Sequence, residues 1–375
     1  MTKNTVFIGL DTHKESIAVA LAEEGRSGEI RYFGQIPNEP AAVLKLVKNL
    51  GGKYGKLFFC YEAGPCGYGL QRQIASLGHD CVVIAPSNTP TKKGIRIKTD
   101  RRDALELSRL HRAGDLTPIW VPDEAHEAIR DLVRSRITAM LMLMKYRQHL
   151  QSFLLRHGRK FPGKTHWTKT HFNWIRSQRF DHPAHHILIE ESLAAIRDSN
   201  DRLERLEKQI MNLLPEWTLA PVVHAFQAMR GISQLAAVIL VSEIGDFQRF
   251  SRPGQLVSYL GLSPSEHSSG NRTIRGPITK AGSARGRRML IEGAWAYRMH
   301  ARVSNYATKR HVGLSKEVLE IGWKAQIRLC QRYRSMRARG KNHNVVVTAI
   351  AREMACFLWA IARTVKLPFP AALAS

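Results

Sequence analysis

Residues 5–36, which read TVFIGLDTHKESIAVALAEEGRSGEIRYFGQI, decide the fold of the amino-terminal part of the chain. Three apolar runs within it, Thr5 to Leu10, Ser16 to Ala22 and Glu29 to Ile36, predict three short strands. The segments that join them are short and polar or contain glycine, which favours antiparallel pairing of consecutive strands. The chain is therefore expected to begin with three antiparallel strands.

Helices and strands alternate after this meander. The apolar periodicity and the glycine positions predict a helix from Pro40 to Leu50, a strand from Lys56 to Tyr61, a helix from Gly69 to Leu77, a strand from Cys81 to Ala85, and a helix from about Arg101 to Gly114. The order βββαβαβα predicts an α/β domain in which helices cover a mixed sheet.

The middle of the chain is predicted to form a helical arm. A broad apolar stripe predicts one long helix from Asp123 to about Gly158, and 160–186 has no clear period and is expected to be an irregular connection. Beyond it, apolar positions recur in steps of four and three, as in a coiled-coil seam: Ile189, Leu193, Ile196, Asn200, Leu203, Glu207, Ile210 and Leu214. The stripe fits a partner chain or an intramolecular hairpin with the long helix.

A mainly α-helical region follows Pro215 and Pro221. From Ala228 onward, two short apolar segments hinged by Gly231 and Gly245 resemble a helix-hairpin-helix, although a plain core helix explains the same pattern. We therefore divide the 375 residues into an α/β domain (1–123), a helical arm (124–220) and a carboxy-terminal helical domain (221–375).

The composition favours a polyanionic partner. Lysine and arginine total 57 against 31 acidic residues, which gives a net charge of +26. Residues 270–345 carry 18 of these cations and three acids, so most phosphate contacts are expected there. No apolar run of about 20 residues indicates a membrane span, and the amino terminus does not resemble a signal peptide. The five scattered cysteines predict reduced thiols, and a cytoplasmic location is expected.

Four carboxylates stand at the ends of predicted strands or at the start of the next helix. They are Asp11, Glu62, Asp100 and Asp103. The predicted strand order brings Asp11 and Glu62 together, and acids three residues apart share one helix face. Converging carboxylates suit hard cations such as Mg²⁺. Two such ions stabilise both the attacking and the leaving oxygen when a phosphodiester is cut. The alternative interpretation gives Asp11 to a turn, Glu62 to an ion pair and Asp100 to a helix N-cap.

With these acids, the segments 247–264 (FQRFSRPGQLVSYLGLSP) and 267–282 (HSSGNRTIRGPITKAG) resemble the DEDD transposases of the insertion-sequence 110 and 1111 type, the bridge recombinases. The resemblance extends over nearly the whole chain. It implies a RuvC-like, ribonuclease-H-like domain that carries the acids as metal ligands, a coiled-coil arm, and a carboxy-terminal transposase domain. The chain departs from the usual family pattern at Ser283 and Gly286.

The resemblance also implies a serine nucleophile, which here is Ser269, with Ser268 as the neighbouring alternative. The basic residues around it are expected to contact nucleic acid or to stabilise the transferring phosphate: Arg272, Arg275, Lys280, Arg285, Arg287 and Arg288. The family further implies donor and target DNA and a structured guide RNA. A homodimer or a dimer of dimers is expected because the apolar stripe of the arm fits a partner chain.

Two other functions remain open at this point. A junction-resolving nuclease would use the same acids and a metal-activated water, and the serine would have no chemical role. A non-catalytic nucleic-acid-binding protein would need the acids only for structure. A covalent bond between protein and DNA distinguishes a transposase from the junction-resolving nuclease. Metal-independent binding without cleavage identifies the non-catalytic binding protein.

Overall fold

The computed structural model describes residues 4–90, 99–269, 273–303 and 305–367. The chain forms two compact units, Met1–Val121 and Pro122–Ser375. The finer division into 1–123, 124–220 and 221–375 stays a prediction.

The first unit is a mixed α/β domain, as predicted. Its elements are β1 (Thr5–Thr12), β2 (Ser16–Glu23), β3 (Ile30–Pro37), α1 (Pro40–Lys53), β4 (Lys56–Glu62), α2 (Gly69–Ser76), β5 (Asp80–Ile84) and α3 (Asp100–Ala113). The five strands form one sheet in the order β3-β2-β1-β4-β5. The strands β1, β2 and β3 pair antiparallel, whereas β4 lies parallel to β1 and β5 parallel to β4. The mixed sheet places the carboxyl ends of β1, β4 and β5 at one edge.

The two faces of the sheet have different coverings. Even-numbered residues of β1, Val6, Ile8 and Leu10, pack into a core with apolar residues of α1 and α2. On the other face, Ala18 and Ala20 of β2 pack against Ala104 of α3. Because side chains alternate along a strand, the odd-numbered residues of β1 face α3.

The contact between α3 and β1 is very close at Gly9. A Cβ atom at this position would lie 2.3 Å from the Ala104 carbonyl oxygen and 2.4 Å from the Ser108 nitrogen. Only a residue without a side chain allows a helix backbone to approach a strand to this distance. Gly9 therefore fixes how closely α3 lies on the sheet.

The described residues of the second unit are helical apart from one small hairpin. It contains α4 (Glu124–Arg156), α5 (Lys169–Ser177), α6 (Pro183–Leu213), α7 (Ala220–Phe226), α8 (Gln234–Ile244), α9 (Pro253–Tyr259), β6 (Pro264–Glu266), β7 (Arg275–Ile278), α10 (Ala284–Ala294), α11 (Asn305–Arg310), α12 (Lys316–Ala338) and α13 (His343–Thr364). The strands β6 and β7 pair antiparallel, and sequence analysis did not predict them. In α8, every residue from Ala237 to Ile244 is buried, so this segment is a core helix.

The helices α4 and α6 pack side by side as a hairpin. The predicted stripe of α6 faces α4: Ile189, Ile196 and Ile210 are buried, and Asn200 Oδ1 accepts a hydrogen bond from Arg147 at 3.3 Å. Intramolecular pairing, one of the two arrangements that the sequence left open, accounts for the stripe. The expectation that 160–186 is irregular is wrong, because α5 forms there, capped by the Thr168 side chain, and α6 already begins at Pro183.

The last helix, α13, is long and apolar enough to cross a membrane by length and composition alone. Sequence analysis did not single it out. Its apolar side packs against α12, α10, α9 and α7, and nine of its residues are buried in the main core of this unit. We therefore regard it as the central helix of a packed core.

We expect the substitution Gly9→Ala to lower the free energy of unfolding of the protein by at least about 2 kcal/mol, because the added methyl group overlaps backbone atoms that cannot move without separating α3 from β1. Denaturant unfolding measures this change. The matched control is Gly51→Ala inside α1, where no atom lies within 4 Å of the added Cβ. Helix propensity should make that variant as stable as the parent chain or about 0.5–1 kcal/mol more stable. Equal stability of both variants would contradict the close contact.

Candidate active site

Asp11 lies at the carboxyl end of β1, on the face that α3 covers. Along the same face, the Phe7 ring meets His111 of α3 edge-to-face at 5.4 Å, and Gly9 touches the α3 backbone. Asp11 continues this row at the next odd position, opposite the first turn of α3. Its side chain is about one-fifth exposed (20%), so the carboxylate is accessible but partly desolvated.

Glu62 ends β4, the strand next to β1. Leu10 pairs with Tyr61 in the parallel register, so Asp11 and Glu62 are the next residues on adjacent strands. The Cys60 thiol donates to the Leu107 carbonyl oxygen of α3, which shows that even-numbered residues of β4 share the face of Asp11. The Thr89 hydroxyl donates to Glu62 Oε1 at 2.6 Å and holds one carboxylate oxygen.

Asp100 and Asp103 occupy the first turn of α3. The N-cap is Thr99, whose hydroxyl accepts a hydrogen bond from the Arg102 amide, so the alternative that Asp100 caps this helix is wrong. Asp100 is exposed and Asp103 is half-buried. Acids in the first turn also interact favourably with the helix dipole.

His13, which sequence analysis did not single out, completes a compact cluster. His13 Nε2 lies 3.3 Å from Asp11 Oδ2 and 3.4 Å from Asp100 Oδ1. One donor atom from each of these three side chains lies within 4.8 Å of the other two, a spacing that suits a shared metal ion. The spacing Asp11-Thr-His13 was the available signal, because alternate residues at a strand end point the same way. Asn38 donates to the His13 carbonyl oxygen at 2.8 Å and fixes this turn.

The cluster carries unbalanced negative charge. Burial raises the pKa of Asp11, His13 lowers it through its charge and hydrogen bond, and the charges of Asp103 and Asp100 raise it again. The net result is a pKa above the ordinary aspartate value. A divalent cation would reverse this effect by neutralising the acids, so these residues fit a metal site.

Ser269 is exposed in the connection between β6 and β7. The neighbouring Ser268 hydroxyl donates to Glu266 Oε1 at 2.9 Å, and Arg275 Nε lies 3.4 Å from Glu266 Oε2. The Ser268 bond, followed by Arg275, lowers the pKa of Glu266. Ser268 is thus tied to an acid of its own hairpin.

The predicted nucleic-acid-binding cations have different surroundings. Arg272 lies outside the described residues. Lys280 is exposed and has a left-handed backbone with φ of 56°. Arg287 donates to the carbonyl oxygens of Leu260 and Ala281 and holds the adjacent loop, and Arg288 is paired with Glu292 at 2.6 Å.

Arg285 approaches a buried acid that joins three helices. Glu243 of α8 receives hydrogen bonds from Arg134 of α4 at 2.9 Å and from Ser283 at 3.0 Å, and Arg285 lies 3.8 Å away. Ser283 is also the N-cap of α10. Burial alone would raise the pKa of Glu243, but these partners outweigh burial and lower it. The family departure at Ser283 therefore has a structural role.

Comparison with known proteins identifies the family. The family described as "Transposase IS116/IS110/IS902 family" matches residues 223–309. The transposase family of the IS110 DEDD type matches residues 8–158. The chain is 48% identical over 360 residues to y4qE of Sinorhizobium fredii, which is named as a transposase, covering 96% of this chain and 89% of the relative. The chain belongs to the IS110 family of transposases.

Two further relatives show how widely the similarity extends. The transposase for insertion sequence element IS1533 of Leptospira borgpetersenii is 31% identical over 343 residues, covering 90% of this chain and 99% of the relative. The pilin gene-inverting protein of Moraxella lacunata is 27% identical over 177 residues, which are 47% of this chain and 46% of that protein. This IS110-family member is accordingly a DNA transposase or recombinase, and its DEDD class indicates use of divalent metal.

We expect His13→Ala to weaken Mn²⁺ binding by the IS110-family protein about tenfold or more while changing Mg²⁺ binding little, because an imidazole nitrogen suits Mn²⁺ better than Mg²⁺. Titration of the free protein by electron paramagnetic resonance, with Mg²⁺ as competitor, measures both affinities without DNA. Glu15→Gln is the control, since Glu15 is an exposed acid in the same turn, paired with Lys14. Unchanged affinity for both ions would contradict a ligand role for His13, and an equal loss for both would contradict the expected preference of the imidazole for Mn²⁺.

We expect Glu243→Gln to destabilise the protein by about 2 kcal/mol at neutral pH, because a buried carboxylate with charged hydrogen bonds is lost. The control Glu292→Gln removes the exposed pair with Arg288 and should cost under about 1 kcal/mol. The lowered pKa of Glu243 means that its contribution is complete above the ordinary glutamate pKa and disappears as the pH falls through the lower folded value. Denaturant unfolding across acidic pH tests this, and a difference independent of pH would contradict it.

Proposed function

We propose that this transposase cuts and rejoins DNA through a covalent serine–DNA intermediate, with Ser269 as the nucleophile and with Asp11, Glu62, Asp100 and Asp103 as ligands of Mg²⁺. The observation that carries the proposal is the convergence of acids from β1, β4 and the first turn of α3 on one edge of the sheet. That arrangement gives a metal-dependent phosphodiester reaction a place to occur.

We also propose that the first unit is a RuvC-like, ribonuclease-H-like domain. The sheet order β3-β2-β1-β4-β5, with three antiparallel strands followed by two parallel ones, supports this assignment. So does the placement of the acids, one on the central strand, one on its parallel neighbour and two on the helix that packs across them.

The carboxylates and His13 would hold the metal ions. When bound, divalent ions polarise the scissile phosphate and stabilise the charge that develops on the attacking and leaving oxygens. The protein contributes a preformed arrangement of ligands: Thr89 orients Glu62, Thr99 starts the helix that carries Asp100 and Asp103, and Asn38 holds the turn of His13. Mg²⁺ is the proposed ion because most of the donors are carboxylate oxygens.

In the proposed reaction, Ser269 Oγ attacks phosphorus, an Oγ–P bond forms, and the P–O bond to the leaving strand breaks. The hydroxyl proton passes to a base or to water, and the leaving oxygen takes up a proton. The same exchange in reverse, with a different DNA end as attacking alcohol, releases the serine and rejoins the strand. Exposure of Ser269 supports its choice, and the engagement of Ser268 with Glu266 makes that hydroxyl the weaker candidate.

The family resemblance and the sequence composition are the basis of the remaining elements of the proposal. They are a structured guide RNA that pairs with donor and target DNA, a homodimer or dimer of dimers as the active assembly, nucleic-acid contacts by Arg272, Arg275, Lys280, Arg285, Arg287 and Arg288, and a cytoplasmic, nucleoid-associated location. The net charge of +26 supports contact with a large amount of phosphate backbone.

We expect Ser269→Ala to abolish both the covalent protein–DNA adduct and strand exchange, because the attacking oxygen is removed. Ser268→Ala, the matched control, should retain both. The assay incubates the full-length protein, Mg²⁺ and transcribed flanking RNA with DNA that carries the element ends, and detects adducts on denaturing gels. Full exchange by Ser269→Ala would refute the nucleophile assignment, and metal-dependent cutting without any adduct would favour a junction-resolving nuclease.

Asp11→Asn should abolish cutting while leaving DNA binding intact, since a metal ligand is lost but the fold is kept. Its control is Asp80→Asn. Asp80 is an exposed acid that pairs in the sheet register with Phe58 near the start of β4, far from the carboxyl edge. Equal activity of the two variants would exclude the acidic edge as the reaction site, and cutting that persists after removal of divalent ions would do the same.

A further inference from the structure

The end of the α4–α6 hairpin carries a second concentration of positive charge. We call residues 156–186 the arm tip; they include the last residue of α4, all of α5 and the start of α6. The arm tip contains one acid, Asp181, and seven basic residues, all of them exposed: Arg156, Arg159, Lys160, Lys164, Lys169, Arg176 and Arg179. Its net charge is therefore +6.

The rest of the same hairpin is electrically balanced. Residues 124–155 and 187–213 together contain nine basic and nine acidic residues. A charged surface that serves only solubility mixes both signs, as these two segments do. The excess at the arm tip therefore needs another explanation, and clustered exposed cations are the usual feature of phosphate binding.

A small apolar core supports the cations of the arm tip. Apolar residues from α4, α5 and α6 form a separate small core here, in which Phe153, Ile175 and Ile189 are buried. The Arg159 guanidinium lies over the Phe180 ring at 5.3 Å and donates to the Arg179 carbonyl oxygen at 2.9 Å. Such support reduces the entropy that a side chain loses when it binds a phosphate.

An aromatic cavity opens among these cations. It has a volume of about 380 Å³ and is lined by Arg159, Lys160, Phe161, His166 and Trp174, among others. The Phe161 ring lies 5.4 Å from Trp174 and 5.7 Å from His166. Gln151 and His166 share a hydrogen bond of 2.9 Å at its side. Aromatic faces, an amide and cations at one opening match the needs of a nucleotide: stacking, base-edge hydrogen bonds and charge.

We infer that the arm tip binds an unpaired segment of nucleic acid, with its lysines and arginines on the phosphates and one base in the Phe161–Trp174 cavity. A duplex cannot present a base to such a cavity without unstacking it, so single strands are the fitting ligand. Ile137 of α4 packs on the main core of this unit, and Arg156 lies 19 residues further along the same helix. This separation corresponds to about 28 Å of helix. The arm thus holds a nucleic-acid site well away from that core.

The first test compares two triple variants of the full-length protein binding a single-stranded oligonucleotide at several salt concentrations. Lys160→Gln/Lys164→Gln/Lys169→Gln removes three exposed charges from the arm tip. Lys145→Gln/Arg202→Gln/Lys208→Gln removes three exposed charges from the balanced part of the hairpin. The arm-tip variant should bind more weakly, and the slope of log K against log salt should fall by about 2, since each phosphate contact contributes about 0.7. An unchanged slope, or an equal change in the control, would overturn the inference.

The second test addresses the cavity. Phe161→Leu should lower affinity for single strands at least about fivefold and leave duplex affinity unchanged, because only an unpaired base can stack there. Gln151→Ala should act in the same direction, and thermal unfolding checks that both variants fold. Equal losses on duplex and single strand would refute base binding. The same oligonucleotide made as DNA and as RNA then identifies which of the two the arm tip prefers.

Discussion

The contact of α3 with β1 at Gly9 is the constraint on which the acidic site depends. The helix backbone lies so close to the strand that a single added carbon would overlap it. This closeness aligns the first turn of α3 with the carboxyl end of β1, two residues beyond Gly9. Without it, Asp100 and Asp103 would not approach Asp11, and the acids of the strands and of the helix would be separate surface groups.

The close approach of these acids to one another is electrostatically unfavourable. Partial burial and two neighbouring acids raise the pKa of Asp11, and only His13 acts in the opposite direction. A site with excess negative charge, accessible at a sheet edge, is suited to bind divalent cations. The structure therefore connects a packing constraint at one glycine to the metal chemistry expected of a DEDD transposase.

Much of the first unit could be predicted from sequence because its strands are apolar, short and separated by clear turns. The strand and helix order, and the convergence of Asp11 with Asp100, follow from that pattern. His13 was missed because a single histidine has no periodicity. Its place in the cluster depends on its contact with Asp100, and Asp100 is 89 residues from Asp11 along the chain. The arm tip was misjudged for a related reason: α5 is only nine residues long, and its aromatic and histidine side chains obscure its amphipathic period.

In the helical unit, different physical effects stabilise the β6–β7 hairpin and the arm tip. The β6–β7 hairpin that leads to Ser269 is small and exposed, and the neighbouring start of α10 is tied to the protein through Ser283 and the buried Glu243. The arm tip relies on its own small core. The contacts of the hairpin and of the start of α10 are local and polar, which explains why periodicity alone predicted the helices of this unit better than its hairpin.

The most direct test of the acidic metal site is a crystal structure of the protein grown with Mn²⁺, in which anomalous scattering locates the ions. We expect an anomalous peak about 2.0–2.6 Å from an Asp11 carboxylate oxygen, with Asp100 and His13 or Glu62 as further ligands. Ions bound only elsewhere, or an Asp11 side chain without any ion at saturating Mn²⁺, would contradict it.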